Sequence, residues 1–218
     1  MKKPYLLPSI LVMLAALGFC AWLYPDLPQQ IPMHWNAQGE VDGYAPRAAI
    51  FAHSAAMAVL IAVWWYALPA LSPKRFSVED FLPTYGYTCL SIVGLLAFLQ
   101  CVQAWAAHSG NLAVDRVLLS GIALFFALTG NVMGKGRCNF WLGIRTPWTL
   151  ASERAWYATH RFAARSMVAG AALALLLLLL LRVPGSACVA LLIGSVALPA
   201  SWSLVYYKRL ERSGALED

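Results

Sequence analysis

Six apolar runs, each close to the length that crosses a lipid bilayer as a helix, leave this chain few ways to fold. They cover Met1–Tyr24, Ala49–Leu71, Leu82–Ala107, Val117–Met133, Met167–Leu181 and Cys188–Tyr207. A hydrocarbon core of ~30 Å takes about 20 helical residues per crossing, and every backbone N–H and C=O inside it must be bonded internally. With 61% hydrophobic and only 12% charged residues among 218, the composition is far from that of a soluble domain. The expected fold class is an all-α integral membrane protein with about six transmembrane helices and no separate soluble domain.

The first run starts with Lys2 and Lys3 and could pass for a secretory signal. Its length, its aromatic end at Trp22 and Tyr24, and the following YPDLP in place of a small-x-small cleavage site favour an uncleaved first helix. All of the 16 lysines and arginines except Arg47, Arg116 and Arg182 then fall on the side of the amino terminus. The positive-inside rule puts both termini in the cytoplasm. The net charge of +6 is therefore a topology signal, and no direct nucleic-acid partner is expected. Cys20, Cys89, Cys101 and Cys188 lie in apolar runs and Cys138 stands alone in a polar loop, without CxxC or Cys/His spacing. Neither a disulfide framework nor a metal site is expected, and no cofactor is implied.

Two polar loops carry the chemistry. The outer loop, residues 25–46, contains four prolines and two glycines, which exclude a helix. Asn36, Gln38, Glu40 and Asp42 alternate with Ala37, Gly39 and Val41, a period-two pattern that suits a short strand or extended hairpin. His34, Trp35, Asn36, Gly39, Asp42 and Tyr44 form a polar-aromatic cluster facing outward, a candidate binding surface. The acidic spacing lacks the downstream carboxylate of a calcium loop, since position 49 is Ala.

The inner loop, residues 134–161, mixes Asn, Arg, Thr, Glu and His with tryptophans between lipid-soluble segments. Its polar groups must be satisfied by one another, by backbone or by interfacial water. Pro147 and Thr149 read as a helix start with Thr149 as cap, and Glu153 lies in the first turn where the dipole favours an anion. Glu153, Trp156 and His160 share a helical face, whereas Arg154, Arg161 and Arg165 share another, the pattern of an amphipathic helix lying at the inner surface. Arg145, beside Thr146, Pro147 and Trp148, suits an anion or pairs with Glu153 or exposed carbonyls. Asn131 and Asn139 are candidate helix caps. Glu153 and His160 stand two turns apart with no nucleophile or metal motif beside them, so no active site is expected. Trp64, Trp65 and Tyr66 are expected at a membrane interface. Ser166, Gly170 and Ala174 have the spacing that lets helices approach closely.

The stretch GNVMGKGRCNFWLGIRTPWTLASERAWYATHR, with its Gly-Asn pair, Asn139, the run from Gly143 through Pro147 to Leu150, Trp156 and the Thr-His pair, resembles the signature of the SdpI family. The upstream LPQQIPMHWNAQGEVDGYAPR is similar to the IPxHWNxxGxxDxY segment of a domain of unknown function that commonly precedes such a core. On that basis residues 1–71 form an N-terminal two-helix unit, and residues 82–210 a four-helix core with its signature loop at 134–161. The resemblance implies a multi-pass bacterial cytoplasmic-membrane protein akin to the immunity protein for the sporulation-delaying toxin. Such a protein protects against a membrane-active peptide and holds a winged-helix repressor of the SdpR type at the membrane. Besides the lipid bilayer, the implied partners are a peptide toxin at the His34 loop and a repressor at the loop carrying Asn131, Asn139, Gly143, Arg145, Thr146, Pro147, Trp148, Glu153, Trp156 and His160. The rival expectation is a membrane enzyme or transporter acting on a lipid-linked or small anionic substrate, with Arg145 as clamp and Glu153 or His160 as proton carrier. The apparent lack of ionisable residues in the centres of the six runs weighs against it.

Overall fold

A computed structural model of the chain describes residues 2–36, 40–110, 114–181 and 183–216. Among the described residues, six helical stretches are long and apolar enough to cross a membrane: Leu6–Asp26, Arg47–Leu71, Val78–Ser109, Arg116–Met133, Glu153–Leu181 and Gly185–Arg212. This is an all-α multi-pass membrane protein. Leucines and valines such as Leu124, Leu180, Leu198 and Val205 project outward, as hydrocarbon solvent requires.

Helix α1 (Leu6–Leu23) is followed by a hairpin of β1 (Gln30–Trp35) and β2 (Val41–Pro46). The strands are antiparallel, pairing Gln30 with Pro46 and Pro32 with Tyr44, and the ladder becomes irregular between Pro32 and Trp35. The expected extended hairpin is present, but of the alternating Asn36–Asp42 segment only Val41 and Asp42 are in a strand among the described residues. The strands otherwise lie on either side of it, where Ile31 can be buried. Asn36 closes the tip: its backbone N–H donates to Glu40 O (2.9 Å), and its Oδ1 accepts from Glu40 N (2.9 Å).

Helix α2 (Ala52–Ala62) passes through one wide π turn, Val63–Ala67, into α3 (Leu68–Leu71). Pro69 has no N–H to give Trp65 O, and the wider turn accommodates that loss. Trp64 and Trp65 are buried, a correction to their expected place at the interface; Tyr66 is exposed. The cause is Tyr85 on α4 (Leu82–Ser109). Its hydroxyl donates to Trp64 O (2.5 Å), Trp64 Nε1 donates to Tyr85 O (3.3 Å), and both indoles pack on its ring.

The carboxy-terminal half comprises α5 (Val114–Met133), α6 (Pro147–Ala151), α7 (Glu153–Leu176) and α8 (Gly185–Arg212). Pro199 inside α8 leaves Ser195 O without its usual i+4 donor, and Ser166 Oγ of α7 donates to that oxygen (2.6 Å). A Cβ on Gly170 would come within 2.8 Å of Ser195 Cβ, so the small-residue spacing does bring α7 and α8 together. Gly130 of α5 lies equally close to Met167. One core gathers α1, α2 and α4 around Met57, Trp65 and Tyr85, and another gathers α5, α7 and α8 around Ala123, Ala171 and Leu178.

The molecule has two distinct ends. Gln103 Nε2, near the end of α4, donates to Pro32 O (3.1 Å) and fixes the hairpin at one end. At the other, Arg137 pairs with Asp80 (3.7 Å), Thr146 Oγ1 meets Ser203 Oγ (3.1 Å), and Arg154 donates to Ala215 O (3.4 Å). The loop at 134–152 thus shares its end with the 72–81 turn and the carboxy-terminal helix.

Candidate functional site

The inner loop is built around side chains that satisfy its backbone. Asn139 is buried and, rather than capping a helix end, serves the loop itself. Its Oδ1 accepts from Trp141 N (2.9 Å) and Leu142 N (2.7 Å), and its Nδ2 donates to Arg137 O (2.9 Å). The chain then turns at Gly143, whose φ of +99° suits glycine, and a Cβ there would overlap the His160 ring. His160 Nε2 accepts from Ile144 N (3.0 Å), which leaves Nδ1 to carry the proton and donate to Trp156 O (2.8 Å). The Trp156 and His160 rings are stacked with centroids 3.9 Å apart, and Trp156 Nε1 donates to Gly136 O (2.9 Å).

Capping differs from expectation by one step. Thr146 caps α6, its Oγ1 accepting from Thr149 N (3.2 Å), while Thr149 Oγ1 accepts from Thr146 N (2.9 Å) and donates to Ile144 O (2.7 Å). Ser152 then caps α7, accepting from Ala155 N (3.3 Å). The amphipathic stretch is not a surface helix separate from the fifth crossing. Helix α7 runs unbroken from Glu153, and Trp156 and His160 face the core because their polar atoms find loop partners there. Asn131 lies on the exposed side of α5 within its last turn.

The remaining residues form a rim around this knot. Lys135, Arg137, Phe140, Arg145, Pro147, Glu153, Arg154 and Arg161 are exposed, and Trp148 is half-buried. Arg145 Nη1 donates to Phe140 O, one of the two structural roles open to it in the sequence. Glu153 is exposed at the start of α7, whereas His160 is buried with both ring nitrogens bonded to backbone. The geometry therefore holds no Glu153–His160 acid/base pair. A cavity of about 70 Å³ lies between α4, α5 and α7, lined in part by Thr84, Thr88, Thr129, Asn139 and His160.

At the hairpin end, His34 Nδ1 is 2.5 Å from Asp42 Oδ1, both side chains being solvent-accessible. Tyr44 is exposed and Trp35 is half-buried against Val102 and Val114; Gly39 lies outside the described residues. Beneath the hairpin, Met33, His34, Trp35, His53, Leu99, Gln103 and Leu118 line a pocket of about 260 Å³. No group of three or more His, Cys, Asp or Glu residues able to hold a metal occurs among the described residues.

The loop, α6, α7 and most of α8 coincide with residues 135–207, which match the model of the SdpI/YfhL protein family. Through this region the chain is similar to the SdpI/YfhL family. Residues 11–57, spanning most of α1, the hairpin and the start of α2, match a domain of unknown function, DUF1648. The chain is 26% identical over 168 residues to the immunity protein SdpI of Bacillus subtilis (strain 168), an alignment covering 77% of each chain. No solved structure matches.

The glutamines of α4 were missed by sequence reasoning. Gln100 is fully buried. Its Nε2 donates to Ile50 O (3.0 Å) and its Oε1 accepts from Ser54 Oγ (3.0 Å), which joins α4 to α2. The available signal was two amides three residues apart inside an apolar run, where each must find a partner.

Proposed function

We propose that this chain is a membrane immunity protein that protects the cell bearing it from a membrane-active peptide, and that it also holds a winged-helix repressor at the cytoplasmic membrane. The observation carrying this reading is the match over 77% of its length to a protein named as an immunity protein, in a chain with six helices, among the described residues, long and apolar enough to cross a membrane. In this reading both termini and the family loop face the cytoplasm, as the distribution of Lys and Arg favours. The hairpin with His34, Trp35, Asn36, Asp42 and Tyr44 meets the peptide.

The division between the loop's interior and its rim supports separate roles. Asn139, Gly143, Thr146, Trp156 and His160 hold the loop in shape, leaving a basic rim with an exposed Phe140 as the docking face for the repressor. Arginine and aromatic side chains of this kind commonly anchor protein interfaces. The test is a pair of variants in a host carrying the repressor and challenged with the sporulation-delaying peptide. Arg145→Ala is expected to impair repressor capture more than resistance, and His34→Ala to do the reverse. Equal damage by both at normal protein levels would contradict the two-face reading.

A further inference from the structure

The pocket beneath the hairpin holds an unmet hydrogen-bond demand. Gln103 is 5% exposed, and its Nε2 donates to Pro32 O (3.1 Å) and Met33 Sδ (2.8 Å). Those bonds fix the orientation of the amide, so its Oε1 is the acceptor, and Oε1 has no partner among the described residues. His53 Nδ1, from α2, is likewise buried and without a partner among them. Both residues line the same pocket, whose other walls include Leu99 and Leu118. A buried amide oxygen without a donor is a standing cost that a ligand N–H would remove.

The pocket does not end there. Trp35 and Leu118 also line a second cavity of about 530 Å³ running between α5 and α8, walled by Ile122, Val189 and Ile193. The two cavities adjoin at Trp35 and Leu118, their walls mostly apolar, with an acceptor in the first. An acyl chain could cover the apolar part but brings no donor for Gln103 Oε1. A phosphate would meet another oxygen at Gln103 and the Asp42 carboxylate on His34. An extended peptide supplies both apolar side chains and a donor N–H at each non-proline residue.

We infer that the two cavities form one groove for an extended apolar peptide segment, with a backbone N–H of that segment donating to Gln103 Oε1 and a second backbone group bonding His53 Nδ1. This deepens the proposed function, on which it rests, by assigning the peptide's seat to the space under the hairpin rather than to the hairpin's exposed face.

The test uses the full chain in phosphatidylethanolamine/phosphatidylglycerol nanodiscs, with photoreactive benzoylphenylalanine replacing Leu118 and the synthetic sporulation-delaying peptide as probe. Illumination should link the peptide to position 118. At sub-saturating peptide, His53→Phe and Gln103→Met should each lower the yield about tenfold, as expected for losing a buried hydrogen-bond partner. Gln103→Met also releases the hairpin at Pro32, so His53→Phe, which keeps an aromatic ring in place, decides the matter. Capture of lipid alone, or peptide capture unchanged in His53→Phe, would overturn the groove. If cells are protected but position 118 captures no peptide, the groove falls while immunity stands. If the peptide is captured at position 118 with the expected variant effect but cells are not protected, the groove stands and immunity falls.

Discussion

His160 on α7 accepts a hydrogen bond from the backbone N–H of Ile144, 3.0 Å away, and so fastens the loop between α5 and α6 to α7. The imidazole is held from both sides, by that amide and by Trp156 O at 2.8 Å, with the Trp156 ring stacked on it. Replacing it with alanine leaves the Ile144 N–H buried without its acceptor and opens a cavity beside the indole. His160→Ala is expected to lower stability by about 3 kcal/mol, from an orphaned amide plus lost packing. A thermal melt of the detergent-solubilised protein checks this, and an unchanged midpoint would show that the ring does not hold the loop.

Gly143 offers an independent probe of the same joint. Alanine there is strained at φ +99° and its Cβ would overlap the imidazole. Gly143→Ala should cost about 2 kcal/mol or more and increase proteolytic cleavage within residues 134–152. Wild-type resistance to a protease added at the loop side would refute the close approach.

The membrane-embedded half is joined at Gly170. Leucine there would drive a side chain into Ser195 of α8 and separate the Ser166–Ser195 bond of 2.6 Å. Gly170→Leu is expected to destabilise the α7–α8 pair by at least about 2 kcal/mol. Disulfide trapping between cysteines placed on facing turns of the two helices would report the separation as reduced yield.

Much of this arrangement was readable from the residues, for definite reasons. Crossing a bilayer demands apolar length, so the six spans are visible as runs, and Gly170 marks a close helix contact because backbones approach where side chains are absent. Trp64 and Trp65 misled because an aromatic pair at the end of an apolar run fits an interface equally well. Only the π turn before Pro69 and the distant Tyr85 turn them inward. The beginning of α7 was obscured by its charges, since Arg154, Arg161 and Arg165 suggest a surface helix while the opposite face buries Trp156 and His160. Asn139 and Thr149 were recognisable as polar residues needing partners. Which amide each would serve depends on the fold of the loop, and no local pattern specifies it.

The buried Gln100 ties α4 to the start of α2. Gln100→Leu would strand Ile50 O and Ser54 Oγ in an apolar setting and is expected to cost about 2 kcal/mol, seen as a lower melting midpoint. The double change Gln100→Leu with Ser54→Ala should recover part of that loss, because it removes one of the two stranded groups. Equal midpoints for the single and double variants would argue against the amide bridge.

The central claim, immunity, is tested most directly in a toxin-sensitive bacterium expressing this chain and challenged with the sporulation-delaying peptide. Survival and membrane potential are followed against an empty vector. The account predicts that expressing cells keep their membrane potential and survive. Collapse of the potential at the same rate as in the vector control, with the protein verified in the membrane, would contradict it.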